Sequence, residues 1–244
     1  MAEVTIQSCA LIAYFAYIKP YKRFLSLSAY ALCAYIGGNM SHMEEIKKYY
    51  ESNNIKDYPD YYIQGWENQT AQELRFKELI GLLNLNNKRI LDVGCGAGNL
   101  LEYISTRFTG YQYTGVDILP HMIERAKQKG LKGDFILIDL FKNNPFGKGS
   151  FDIIFSSGIF NLNLGNNKEF LEEAVKIFMS LSCGTISFNL LWDKSPDREE
   201  RYFYFSPEEV TDWLVREYGE EWAIGIQKGY LQNDFTVHLH KFRE

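Results

Sequence analysis

The glycine-rich stretch from Arg89 to Leu101 constrains the fold of this 244-residue chain more than any other segment. It reads RILDVGCGAGNLL: an apolar run with one acid, three alternating glycines, then a helical pattern. Ile90, Leu91 and Val93 suit a buried strand, while the glycines allow a tight turn that brings main-chain N–H groups close to a ligand. The stretch therefore predicts a strand, a loop suited to a nucleotide-like ligand, and a helix.

The spacing of these glycines differs from the dinucleotide-binding fingerprint. Counted from Gly94, that fingerprint requires its third glycine at position 99, which is Asn99 here. The pattern is instead Asp-x-Gly-x-Gly-x-Gly, from Asp92 to Gly98. A nicotinamide cofactor is therefore not the first expectation.

Three further segments repeat the strand pattern. Tyr113–Asp117 ends in an acid about 20 residues beyond the glycines, where a βαβ nucleotide site places its ribose-binding carboxylate. Phe135–Asp139 and Phe151–Ser156 predict a third and a fourth strand. The carboxyl ends of parallel strands share one edge of a sheet, so we expect the ligand site at that edge.

The remaining chain alternates helices and strands before it ends in a hairpin. Gly184–Leu191 predicts a fifth strand, and Ser206-Pro-Glu-Glu209 forms a capping box that starts a helix. Trp222–Lys228 and Phe235–Lys241 alternate in polarity, which predicts an antiparallel pair. A helix is also predicted before the first strand, from apolar and polar positions at helical spacing: Gln72, Arg75, Phe76, Leu79, Ile80, Leu82 and Leu83.

The glycine motif and the acid-ended strands resemble the class I S-adenosylmethionine (SAM) dependent methyltransferases, from about Asp57 to Glu244. Tyr62–Glu67, Ser157–Asn161 and Leu231–Val237 are similar to a group of small bacterial methyltransferases that mostly lack an assigned substrate. The resemblance implies an α/β fold with a Rossmann-like, seven-stranded, mostly parallel sheet, a terminal antiparallel hairpin and helices on both faces. It also implies an enzyme that uses SAM as its cofactor.

The resemblance further implies which residues bind SAM. Asp92 and the glycine loop would line the methionyl and ribose end, Asp117 would accept from the ribose hydroxyls, and Asp139 would meet the adenine. Each acid has a structural alternative, as a strand-end cap, a helix N-terminal charge and a turn acid, respectively. The full predicted cofactor set is Tyr62, Trp66, Arg75, Asp92, Gly94, Cys95, Gly96, Gly98, Asn99, Asp117, Ile118, Met122, Asp139, Leu140 and Ser156.

Arg75 and the aromatic residues before it have two interpretations each. A guanidinium binds a carboxylate bidentately, so Arg75 could hold the methionyl carboxylate of SAM; otherwise it is a solvated helix arginine. Tyr61, Tyr62 and Trp66 either pack as core or wall the pocket near the sulfonium, whose positive charge favours an aromatic face.

The acceptor side is predicted from the residues that follow the fourth strand. Ser157, Phe160 and Asn161 come there, and Asn161 could hold an acceptor atom by hydrogen bonds or serve as a structural amide. Asn161 and Tyr62 are the candidate catalytic residues, with an acceptor-positioning role. We expect the acceptor pocket to lie between Tyr61, Tyr62 and Trp66, Phe160 and Asn161, and the loop Trp192–Phe205.

Charge and missing motifs argue against a macromolecular substrate. The formal net charge is −5 with no long Lys/Arg run, whereas binding to nucleic acid depends on neutralising phosphates. No Asn/Asp-Pro-Pro-Tyr/Phe sequence follows the fourth strand and no Pro-Cys pair occurs. We therefore predict a small-molecule acceptor methylated on O, N or S, with no nucleic-acid partner. A protein or RNA methyltransferase, a dehydrogenase and a non-catalytic SAM-binding protein are the alternatives.

Cysteine and histidine usage predicts a reduced, metal-free protein. The four cysteines are scattered without a C-x-x-C pair, which indicates neither a zinc site nor a disulfide framework and favours a cytoplasmic location. His238 and His240 share one face of a strand but have no identifiable third ligand, so no metal is predicted.

Residues 1–42 differ in composition from the rest and are predicted to lie outside the functional domain, which would span 43–244. Their two apolar arms are shorter than the roughly 20 residues of a spanning helix, and no basic segment precedes them as in a signal peptide. Met40-Ser-His-Met43 resembles a vector scar or an internal start. We interpret the segment as a leader or extension; a membrane-contacting or partner-binding hairpin and a packed accessory helix are the alternatives.

Overall fold

A computed structural model describes residues 42–52 and 58–242. The predicted N-terminal extension lies outside the described residues, apart from His42, which begins the first helix. The proposed domain boundary therefore stays a prediction. Within the two described ranges, no helix is both long enough and apolar enough to cross a membrane.

The described elements alternate between helices and strands after a helical N-terminal part. In chain order they are α1 (His42–Ser52), α2 (Asp60–Ile63), α3 (Gln69–Ile80), β1 (Arg89–Val93), α4 (Asn99–Ser105), β2 (Gln112–Asp117), α5 (Pro120–Gln128), β3 (Asp134–Leu137), β4 (Phe151–Ser156), α6 (Asn167–Leu181), β5 (Ser182–Leu191), α7 (Pro207–Tyr218), β6 (Trp222–Lys228) and β7 (Asp234–Lys241). All seven predicted strands are present, and the fifth begins two residues earlier than expected.

The seven strands form one sheet in the order β3-β2-β1-β4-β5-β7-β6. The first five strands are parallel, while β7 runs antiparallel to both β5 and β6. The predicted Rossmann-like sheet with a terminal antiparallel hairpin is therefore confirmed. The chain order reverses between β1 and β4, and this switch point is where open α/β sheets bind their ligands.

The central strand β1 is buried on both faces, which explains its continuous apolar run. Ile90 packs with Phe76 of α3 and Leu101 of α4, whereas its neighbour Leu91 belongs to a second cluster that includes Phe178 of α6. Successive side chains of a strand point to opposite faces, so these contacts place helices on both sides of the sheet.

Local sequence signals set several helix ends. The Asn68 side chain accepts a hydrogen bond from the Ala71 N–H at 2.8 Å and caps α3. Gly81 ends that helix with a φ of 54°, so the predicted extension to Leu82 is wrong, and Leu82 is fully exposed. The predicted cap of α7 is confirmed, because the Ser206 hydroxyl accepts from the Glu209 N–H at 3.2 Å.

His238 and His240, the pair considered for a metal, bond to threonine and serine of β5. His238 Nδ1 lies 2.9 Å from the Ser187 hydroxyl, and His240 Nδ1 lies 3.1 Å from the Thr185 hydroxyl. Burial, with a further contribution from the neighbouring His240, lowers the pKa of His238 to about 4. Across residues 42–52 and 58–242, no group of three or more His, Cys, Asp or Glu side chains could hold a metal ion.

We predict that His238 makes the fold less stable in mild acid. Its folded pKa of about 4 lies below the ordinary value of about 6.5, so between these values the unfolded chain binds a proton that the folded chain does not. The free energy of unfolding should fall by about 2–3 kcal/mol as pH decreases through this window. Urea unfolding of wild type and His238→Gln at pH 7 and pH 4.5 measures this. His240→Gln should keep most of the pH dependence, because burial is the larger cause of the lowered pKa of His238. Identical pH dependence in wild type and His238→Gln would contradict the prediction.

Candidate active site

The glycine loop after β1 is fixed against β2 by main-chain hydrogen bonds. The N–H groups of Gly94 and Cys95 both donate to the Val116 carbonyl, at 2.9 and 3.0 Å. Gly94 has a φ of 77°, and a Cβ there would lie 2.2 Å from the side chain of Ile159. The loop conformation and its close packing therefore both require glycine at this position.

Two carboxylates stand at the carboxyl ends of β1 and β2. Burial, opposed by a hydrogen bond from the Tyr113 hydroxyl and assisted by the Asp117 charge, raises the pKa of Asp92 to about 7. Asp117 accepts from the N–H groups of Leu119 and Gly96, each at 2.9 Å. Burial raises the pKa of Asp117, and these N–H groups limit the rise. Asp117 thus closes the glycine loop onto the second strand.

A small cleft lies beside the glycine loop. It is lined by Gln64, Trp66, Gln72, Phe76, Asp92, Gly94, Cys95, Asn99, Leu100 and Ser157. Five members of the predicted cofactor set therefore come together there: Trp66, Asp92, Gly94, Cys95 and Asn99. The two glutamines were not predicted. A glutamine on a helix or in a turn carries no sequence pattern of its own, and only its partners reveal its role.

The glutamines belong to a chain of hydrogen-bonded side chains that enters this cleft. Lys129 Nζ donates to Asn99 Oδ1 at 2.7 Å, and Asn99 Nδ2 donates to Gln72 Oε1 at 2.8 Å. Gln72 Nε2 donates to Gln64 Oε1 at 2.7 Å. Gln64 lies against the loop, because its Nε2 would be 2.8 Å from a Cβ placed on Gly96.

Arg75 does not have the partner that the sequence suggested. Its guanidinium pairs with both carboxylate oxygens of Asp234 in β7, and a third nitrogen donates to the Ala71 carbonyl at 3.0 Å. Both side chains are buried, so the solvated-arginine interpretation is wrong. The bidentate face predicted to bind a cofactor carboxylate is occupied by Asp234. The guanidinium also lies 4.4 Å from the centre of the Trp66 ring.

The residues predicted for the ribose and adenine side lie in two different environments. Ile118 and Met122 pack in a small apolar cluster with Ile63 of α2. Asp139 lies beyond the end of β3 and accepts from the N–H groups of the two turn residues Phe141 and Lys142, as expected of a turn acid. Its contact with adenine stays a prediction.

Two more members of the predicted cofactor set have structural partners. Leu140 is buried in the main apolar core. The Ser156 hydroxyl donates to the Val93 carbonyl at 2.9 Å and ties the end of β4 to β1. Gly98, the last glycine of the loop, directly precedes α4 with a φ of 74°. The contacts of these residues with SAM stay predictions as well.

Gly158, just after β4, is surrounded by the side chains of Trp66, Asn161 and Asn189. The Gly158 N–H donates to Asn189 Oδ1 at 3.0 Å, and a Cβ on Gly158 would lie 3.0 Å from the Trp66 ring and 3.8 Å from Asn161 Nδ2. Asn189 is fully buried. Among the described residues, buried polar atoms without a protein partner include Ser157 Oγ, Asn161 Oδ1 and Asn189 Nδ2. The predicted Asn161 thus has a group that a ligand could satisfy.

Two aromatic residues predicted for the acceptor pocket do not line the cleft beside the glycine loop. Phe160 is buried in the main core, with its ring centre 5.4 Å from that of Phe170 and 5.7 Å from that of Phe188, so its prediction as a pocket wall is wrong. Tyr62 packs on Tyr58 at 4.6 Å and is not among the residues that line the cleft. Its positioning role stays a prediction.

Sequence comparison identifies the domain that carries this site. Residues 90–179, from β1 almost to the end of α6, match the family described as "Methyltransferase domain". This match agrees with the resemblance to SAM-dependent methyltransferases that the sequence predicts. The predicted enzyme class, with SAM as its cofactor, is confirmed at the level of the family.

Two relatives carry the name methyltransferase, and one of the two names also states an acceptor. The chain is 29% identical over 162 residues to Rv1506c of Mycobacterium tuberculosis, a methyltransferase by name, and the match covers 62% of this chain and 92% of that one. It is 38% identical over 84 residues to the 18S rRNA (guanine-N(7))-methyltransferase of Mus musculus. That match covers 34% of this chain and only 29% of the mouse protein.

A solved structure shows the same fold. Magnesium protoporphyrin IX methyltransferase from Synechocystis PCC 6803, solved with bound SAM, superimposes with a TM-score of 0.57. The superposition covers 83% of this chain and 98% of that one, at 16% identity. Such a likeness defines the arrangement of the chain and leaves the acceptor open.

The buried pair Arg75–Asp234 generates a prediction about stability. Asp234→Ala should lower the free energy of unfolding by about 3–5 kcal/mol, because it leaves a buried guanidinium without its counter-charge. The double variant Arg75→Met/Asp234→Leu should recover much of this loss, since no charge stays buried. Urea unfolding of the single and double variants tests both statements. A loss below about 1 kcal/mol in Asp234→Ala, the range of exposed pairs, would contradict them.

Proposed function

We propose that this protein transfers the methyl group of SAM to a small-molecule acceptor on O, N or S, in the cytoplasm. The observation that carries the proposal is the glycine loop closed onto Asp117 beside a cleft that also reaches Ser157 after β4. The free thiols of Cys95 and Cys183, the two cysteines in the described residues, support a reducing location.

The residues around the loop fit the chemistry of SAM. Each oxygen of Asp117 accepts one main-chain N–H and has a further lone pair, so the carboxylate is able to accept from ribose hydroxyls as well. Asp92 and the Trp66 ring suit a cationic group. SAM supplies a methyl group already activated by its sulfonium. The protein mainly has to align the two reactants and exclude water.

The acceptor side supports a compact, polar substrate. The groups around Gly158 offer a donor in Asn189 Nδ2, an acceptor in Asn161 Oδ1 and a hydroxyl in Ser157. A buried polar group without a partner costs about 1–3 kcal/mol, which a substrate with both donors and acceptors would offset. Because these atoms are buried, the site favours a molecule that enters the protein over a large surface.

Methylation of RNA is the second candidate function, because the mouse relative acts on 18S rRNA by its name. The likeness spans 84 residues, about a third of each chain. The net charge of −5 opposes binding to a phosphate backbone. The small-molecule proposal is therefore the better supported of the two.

Label transfer from SAM decides between these acceptors. Purified protein is incubated with SAM carrying a labelled methyl group, in parallel with a small-metabolite extract and with total RNA. We expect label in a metabolite whose mass increases by one methyl group. Label that appears only in RNA, and disappears after ribonuclease treatment, would establish the second candidate instead.

We predict that Asp117→Ala weakens SAM binding about tenfold or more, because the ribose hydroxyls lose a charged acceptor. Calorimetric titration measures the dissociation constant, and circular dichroism checks that the fold is retained. Asp134→Ala, at the exposed start of β3, is the control and should bind SAM as wild type does. An unchanged dissociation constant in Asp117→Ala would mean that β2 does not end at the cofactor.

Asn161 and Phe160 should behave differently although they are neighbours. We expect Asn161→Ala to lower turnover while leaving SAM affinity unchanged, because its buried amide faces the acceptor side. Phe160→Ala should instead lower the free energy of unfolding by about 3–5 kcal/mol, because its ring is packed in the core. Activity assays and urea unfolding on both variants measure this. Equal losses of SAM affinity and turnover in Asn161→Ala would rule out its acceptor role.

A further inference from the structure

In the hydrogen-bonded chain from Lys129 to Gln64, the donors and acceptors can be arranged in only one order. A lysine ammonium donates and never accepts, so Asn99 must turn its oxygen toward Lys129. Its amide nitrogen then faces Gln72, which must accept with Oε1 and donate with Nε2 to Gln64 Oε1. Each amide orientation thus follows from the previous one, beginning at a cation.

The chain therefore delivers a hydrogen-bond donor to the cleft. Gln64 Nε2 is its last atom, and it is buried without a hydrogen-bond partner among residues 42–52 and 58–242. It lies against Gly96, at 2.8 Å from where a Cβ of that residue would be. The amide is polarised by the ammonium at the far end of the chain, which strengthens it as a donor.

The position of Gln64 is set by the same lysine. Gln64 is the C-cap residue of the short helix α2, whose first residue, Asp60, forms ion pairs with Lys129 at 2.9 Å and with Arg125 at 3.1 Å. Lys129 thus contacts the start of α2 by the ion pair to Asp60. It is also connected to Gln64, at the end of α2, through the amides of the hydrogen-bonded chain.

A carboxylate is the group that this donor suits. The residues that line the cleft in the described part of the chain include no lysine or arginine, and Arg75 is already paired with Asp234. The amino-acid end of SAM carries one carboxylate and one ammonium. Asp92 in the same cleft suits the ammonium, which leaves the carboxylate for the donor.

We propose that Gln64, polarised by Lys129 through Asn99 and Gln72, binds the carboxylate of the methionyl end of SAM. The proposal rests on the proposed function, because SAM is the ligand. Gln64 then takes the role that the sequence suggested for Arg75. The neutral amide of Gln64, at the end of a hydrogen-bonded chain that begins at a lysine, binds the carboxylate in place of a guanidinium.

Two ligands that differ in this carboxylate test the proposal by calorimetry. Wild type should bind SAM more tightly than decarboxylated SAM, which keeps the sulfonium and the amino group. Gln64→Ala should weaken SAM binding by about tenfold or more and leave the affinity for decarboxylated SAM unchanged. Gln64→Glu, which replaces the donor by a like charge, should weaken SAM binding further while sparing the decarboxylated ligand.

Lys129 and Arg125 form a matched pair for the role of the chain. Lys129→Met and Arg125→Met each remove one ion pair to Asp60; Lys129→Met also removes the partly exposed ion pair to Glu102 at 2.6 Å, and only Lys129 starts the amide chain. We expect Lys129→Met to reduce the preference for SAM over decarboxylated SAM by about threefold or more, and Arg125→Met to preserve it. This comparison also tests the proposal should Gln64→Ala fail to fold.

Several outcomes would overturn the proposal. If Gln64→Ala weakens both ligands equally, Gln64 is only part of the cleft wall. If Lys129→Met and Arg125→Met have the same preference, the chain does not polarise the donor. In either case wild type still binds SAM and the proposed function stands. If wild type binds neither ligand, the proposed function fails, and this proposal fails with it.

Discussion

The buried ion pair between Arg75 and Asp234 connects the two parts of the chain that build the site. Helix α3 precedes the first strand and β7 is the last, so the pair joins residues 159 positions apart. Both side chains are buried, and each charge therefore requires the other. The pair fixes α3 on the sheet, and α3 in turn presents Gln72 and Phe76 to the cleft. Trp66 stacks on the same guanidinium, so the ion pair also helps to position a ring on the acceptor side.

Polar pairs on one face of β5 and β7 reinforce this arrangement. Thr185 and Ser187 bond to the two histidines of β7, and Asn189 at the end of this row reaches Gly158. The opposite face of β5 carries Ile186, Phe188 and Leu190 in the main core. A shift of one residue would exchange these faces and bury unpaired hydroxyls, so the register of the antiparallel strands is strongly specified. The same register aligns Asn189 with the acceptor side.

The sequence predicts local structure well and long-range partners poorly. Apolar runs identify the first five strands and alternating polarity identifies the terminal pair. The Ser206 cap is confirmed because a cap uses neighbours three residues apart. Leu82 fits a helical spacing, but Gly81 ends the helix before it. Arg75, Gln64 and Phe160 were misjudged or missed because their partners lie far along the chain or in another element. Periodicity records which face is buried, and it does not record what covers that face.

The position of β7 between β5 and β6 also has a consequence during synthesis on the ribosome. The sheet is not continuous until the residues of β7 have emerged, although β6 is made earlier. Arg75 is made 159 residues before its partner, which at roughly 5–20 residues per second corresponds to roughly 8–32 seconds. During this interval α3 cannot pack against the sheet without burying the unpaired charge of Arg75. The nascent chain therefore has to keep the cleft region open until nearly all of the described residues have been made.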